Sequence, residues 1–172
     1  MLKRVPFVVR QGVTVGLIGA GAVAAWFLLV DTISGRPLYT PAVLGSAAFH
    51  GLRDPTLVEV GFDAVGAYTA LHIILFILVG IIASAAAAEA RRSPQVTWLL
   101  VEFFVVFQIA FYASVWIVFS PLLHALAWIN VAAGNLLAAA TMGYYLWRAY
   151  PELRAHLTFD DSGSPPAEPP AS

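Results

Sequence analysis

Four apolar stretches, near residues 11–30, 64–88, 97–119 and 126–147, constrain this chain more than anything else in it. A helix rises ~1.5 Å per residue, so ~20 residues match a hydrocarbon core ~30 Å thick. The stretches predict an all-α integral membrane protein, a four-transmembrane-helix bundle spanning residues 1–157. Beyond Leu157 the chain is rich in proline and acid and too poor in apolar groups to pack, so residues 158–172 are expected to be a disordered cytoplasmic tail. Composition leads to the same class independently. Hydrophobic residues are 60% and charged residues 11% of the chain, against ~45–50% and ~25% in soluble domains. A net charge of −1 argues against a nucleic-acid partner, which needs a basic patch. Cysteine is absent, which removes disulfides, thiolate metal sites and thiol redox chemistry.

Two segments invite other readings. Lys3, Arg4 and Arg10 precede an apolar run as in a secretory signal, but the run continues from Val13 to Val30. That exceeds the ~7–15 residues of a signal core, so a retained first span is expected. The segment from Val15 to Ala24 has the glycines of a dinucleotide-binding turn. It lacks the preceding strand and the room for a βαβ unit that give such glycines their role. Helix packing accounts for it better. Gly12, Gly16, Ala20 and Ala24 recur every fourth residue and form a smooth face on which another helix can approach closely.

Charge orients the bundle. Lys3, Arg4, Arg10, Arg91, Arg92, Arg148 and Arg154 fall on the side of the termini, and only Arg36 and Arg53 on the other. This bias predicts a multi-pass protein of a bacterial-type cytoplasmic (inner) membrane with both termini cytoplasmic. Trp26, Trp116 and Trp128 then lie near the outer ends and Trp98 and Trp147 near the inner ends, where aromatic belts belong. Within the outer connection at 31–62, a short interfacial helix is predicted near 41–50. Thr40 serves as its N-cap, Pro41 as its first helical residue and Gly51 as its C-cap. Short connections make the second and third spans, and the third and fourth, antiparallel neighbours.

Polar groups inside spans are costly, so their depth is informative. His72, Gln108 and Asn135 each fall near the midplane, His72 ~13 Å from the start of its span. Tyr68 and Tyr112 lie one turn from His72 and Gln108 on the same faces. One reading of this layer is interhelical hydrogen bonding, worth ~0.6–2 kcal/mol per pair. The other is that His72 binds a haem, quinone or metal, or carries protons. At the outer face, His50, His124, Asp63 and Asp31, with Asn130 beside them, offer imidazole and carboxylate ligands of the kind zinc, copper or iron take. They lack close ligand spacing, and ordinary interfacial polarity is the competing account. Glu102 is an intramembrane acid one turn inside the third span, placed to pair with Arg91, Arg92 or Arg148 or to couple proton movement.

Three functional classes fit these residues. The first is a structural or accessory subunit of a membrane assembly, in contact with lipid and with other membrane-protein subunits or copies of itself. The second is a haem-, quinone- or metal-binding redox protein using His72 or the outer cluster. The third is an oligomeric transporter or channel element built on Glu102 and the midplane layer. No catalytic motif stands in the context it requires, so the first class, without enzymatic chemistry, is the expectation. No sequence motif specifies a cofactor.

Overall fold

The computed structural model describes residues 5–90 and 128–150, together with Glu102, Val105, Val106, Gln108, Ile109 and Ala113. Among the described residues all regular structure is helical, with no strand. In chain order the elements are α1 (Val5–Ile33), α2 (Tyr39–His50), a 3₁₀ turn (Pro55–Leu57), α3 (Phe62–Ala90) and α4 (Trp128–Ala149). Both α1 and α3 have 29 residues and are long and apolar enough to cross a membrane. With 22 residues α4 also has the length, but Asn130, Asn135 and Thr141 make it more polar. Most of the predicted third span at 97–119, and the tail at 158–172, lie outside the described residues. Those of the third span that are described are helical.

The central helix is α1. It packs along both α3 and α4, which touch each other only sparingly. Contacts run in opposite order along the partners, so α1 is antiparallel to both. Gly12 lies against Ile81, and Gly16 against Phe76 and Ile77. On the other side Gln11 meets Tyr145, Gly19 meets Met142 and Trp26 meets Asn130.

Glycine makes the α1–α3 seam possible. A Cβ added at Gly12 or Gly16 would strike the α3 backbone, and one added at Gly80 would strike the backbone of Gly12 and Gly16. Small residues continue the α3 side, where Ser84, Ala87 and Ala90 are buried. In hydrocarbon, where burial from water no longer drives association, this close approach supplies dispersion contacts. Ala20 extends the buried face of α1, but Ala24 is exposed. The predicted stripe of four therefore packs over three positions, and at the fourth a cavity separates the helices.

At the end of the bundle nearer the α1 N-terminus the core gathers Val15, Ala87, Ala90, Met142, Leu146 and Tyr150. The Tyr150 hydroxyl lies 2.8 Å from Ser84 Oγ, a buried link between α4 and α3. Tyr145 donates to Gln11 Oε1 at 2.7 Å and Trp26 Nε1 to the Asn130 carbonyl at 2.9 Å, tying α4 to α1 at both ends. Trp26 is thus an interhelical donor.

The start of α2 differs from the sequence expectation. It begins at Tyr39, after Leu38 in a left-handed conformation at φ 64°, which places Thr40 inside the first turn rather than at the cap. The reason is a carboxylate from elsewhere. Asp31, near the end of α1, accepts from the Thr40 N–H through Oδ2 and from Thr40 Oγ1 through Oδ1, both at 2.7 Å. A group distant in the first turn's own sequence thereby satisfies an orphan N–H that a local cap would serve. Gly51 ends the helix as expected, at φ 67° with its N–H on the Ser46 carbonyl. From there α2 rests on α3, with Gly45 set against the Ala64 carbonyl.

Candidate functional site

Above the glycine seam, α1 and α3 separate and α2 closes over the gap. The space between them is a cavity of about 230 Å³. Its α1 wall is apolar, formed by Val23, Ala24, Ala25, Phe27 and Leu28, with Asp31 at the end nearer the α1 C-terminus. Leu38, Thr40 and Pro41 come from the start of α2, and Val65, Tyr68, Thr69 and His72 from α3. This is the usual make-up of a ligand site, an apolar chamber with a few polar groups, although its volume is below the ~300–1,000 Å³ of most such pockets.

The α3 wall is ordered by stacking. Tyr68, His72 and Phe76 follow at intervals of four and share one helical face. The Tyr68 and His72 rings are 5.7 Å apart and nearly parallel, and His72 and Phe76 are 4.6 Å apart and tilted. The His72 Nε2 is buried and has no partner among the described residues. An incoming ligand would therefore meet the flank of the ring before it met that nitrogen.

Asp31 closes the end nearer α2. Its side chain is buried, and each carboxylate oxygen is engaged by Thr40. The carboxylate faces the N-terminal end of α2, whose unpaired N–H groups favour negative charge. Its first role is therefore to hold α2 over the cavity.

The structure brings Asp31, Tyr68 and His72 into one chamber, with Ala24 on its wall, and leaves the other candidates elsewhere. His50 Nε2 lies 3.7 Å from Asp63 Oδ2, but the two side chains are 53% and 74% exposed, which marks a surface pair. The outer cluster is therefore split: Asp31 belongs to the cavity and to Thr40, and His50–Asp63 to the surface. Among the described residues no three His, Asp or Glu side chains gather as a metal-binding group. His124 and Tyr112 lie outside the described residues. Asn135 has a buried Nδ2 with no partner among the described residues, Gln108 is half-buried and Glu102 is exposed.

Several structural partners were not singled out from sequence: Thr40 for Asp31, Gly80 for Gly12 and Gly16, Ser84 for Tyr150, and Gln11 for Tyr145. Gly80, Ser84 and Ala87 did carry a readable signal, small residues at helical spacing opposite those of α1. No protein-family model, curated protein or solved structure matches the chain.

Proposed function

We propose that this chain is a four-span protein of a bacterial-type cytoplasmic membrane, with both termini cytoplasmic, that works as a structural or accessory subunit through contact with lipid and other membrane proteins. The observation that carries this reading is the distribution of side-chain size. Buried positions of α3 hold Ala64, Gly80, Ser84, Ala87 and Ala90, while Leu71, Ile74, Leu75, Leu78 and Ile82 are exposed. A continuous surface of large apolar side chains suits acyl chains or the flank of a neighbouring helix. Polar groups support the same reading, since Asp31–Thr40, Ser84–Tyr150, Gln11–Tyr145 and Trp26–Asn130 each tie one element to another. Purification in mild detergent followed by native mass spectrometry tests it. A stoichiometric partner or homo-oligomer is expected, and a monodisperse monomer would count against the proposal.

A second reading is favoured by the cavity: a small apolar ligand held beside Tyr68 and His72. In that case the protein purified from membranes carries a quinone or another small lipophilic molecule, recovered by solvent extraction and identified by absorption or mass spectrometry. His72→Ala removes it.

A further inference from the structure

The α1–α4 pair has one face that no described element covers, and its inner end carries two arginines. Tyr145 donates to Gln11, so these two residues face each other across the pair. One step back along a helix turns a side chain by ~100°. Because α1 and α4 are antiparallel, the step from Gln11 to Arg10 and the step from Tyr145 to Tyr144 turn toward the same side. Arg148, four residues beyond Tyr144, shares that side. Its Nη1 donates to the Tyr144 hydroxyl at 3.2 Å, and its guanidinium lies over the Tyr144 ring. Arg10, Tyr144 and Arg148 are all exposed.

The same face continues toward the middle of the helices as an apolar furrow. Leu17 and Gly21 follow Arg10 at helical spacing, and Leu137 and Ala140 precede Tyr144 likewise; all four are exposed. Beside Gly21 there is open space. Neither Arg10 nor Arg148 pairs with a carboxylate among the described residues, where His50–Asp63 is the ion pair.

From this arrangement we infer that the furrow seats an anionic phospholipid, its phosphate on Arg10, Arg148 and the Tyr144 hydroxyl and an acyl chain along Leu17, Gly21 and Leu137. Guanidinium forks match phosphate oxygens. Two cations without counter-charges among the described residues, at the foot of an apolar groove, complement a lipid with an anionic head and a hydrocarbon tail. The leaflet rests on the proposed topology, which puts this end on the cytoplasmic side.

The test uses the full chain in neutral detergent, with phosphatidylglycerol, phosphatidylcholine or inorganic phosphate added. Phosphatidylglycerol is expected to raise the unfolding midpoint and to remain bound in native mass spectra, whereas the other two do neither. In the double variant Arg10→Gln/Arg148→Gln, retention of phosphatidylglycerol falls at least tenfold, while in Arg10→Lys/Arg148→Lys, which keeps the charge but loses the fork, it falls less. Both variants change exposed side chains, and the midpoint without lipid checks that the fold is retained. Equal response to both lipids, or unchanged retention in the glutamine variant, overturns the proposal. Inorganic phosphate displacing the lipid at equal concentration also overturns it, in favour of a free-anion site. The assay does not depend on membrane orientation, so its failure is distinct from failure of the topology.

Discussion

Gly16 and Gly80 occupy positions where an added atom has only backbone to meet. Gly16→Leu or Gly80→Leu must part the helices, and the expected loss is about 1–3 kcal/mol, the range for overpacking a tight site. Thermal unfolding in detergent measures it. Gly21 is the internal control, because the space beside it is open; Gly21→Ala is expected to leave stability unchanged or raise it. Just after α4, Tyr150→Phe removes the hydroxyl paired with Ser84, at an expected cost of ~0.6–2 kcal/mol. Outside the helical spans, Asp54 is held below the ordinary aspartate pKa, first by the Thr56 hydroxyl and then by the Thr56 N–H. A lowered folded pKa means these bonds stabilise the turn fully above the ordinary value. The stabilisation disappears as pH falls through the folded value. Thr56→Val should return the Asp54 titration, followed by NMR in micelles, toward the ordinary range.

The element most dependent on a single side chain is α2. Asp31 accepts two hydrogen bonds from Thr40 across nine residues of chain, and removing an N-cap acceptor typically costs ~0.5–2 kcal/mol. Asp31→Ala should therefore loosen the first turn of α2, seen as faster amide exchange at 39–43 than at α1 or α3. Unchanged exchange there would mean that packing of Gly45 on α3 alone holds the helix. The same element shows where sequence reading stops. Gly51 was legible as a C-cap because glycine's freedom at positive φ acts locally. Thr40 was misplaced because its acceptor comes from another helix, and a carboxylate at position 31 looks the same in sequence whether it caps, binds metal or faces water. The glycines of α1 were legible because small residues at a spacing of four have few other uses in an apolar run. Their end at Ala20 was not, since it depends on how far α1 and α3 separate. The cavity was hidden for the same reason, although Asp31, Tyr68 and His72 were each noticed singly.

At the scale of the whole molecule, α1 serves as the spine on which α3 and α4 pack antiparallel, and α2 covers the cavity at one end of the α1–α3 seam. That arrangement makes physical sense if the exposed leucines and isoleucines of α3 face hydrocarbon and the basic residues beside the termini face the cytoplasm. The whole arrangement therefore depends on topology. The cysteine-free sequence makes it directly measurable, because a single introduced cysteine is the only thiol. Variants Arg53→Cys, Ser93→Cys and Ser164→Cys in intact cells, treated with a membrane-impermeant thiol reagent, give the answer. Labelling is expected at position 53, with protection at 93 and 164 until the membrane is permeabilised. Protection at 53, or labelling at 93 or 164 in intact cells, would contradict this topology.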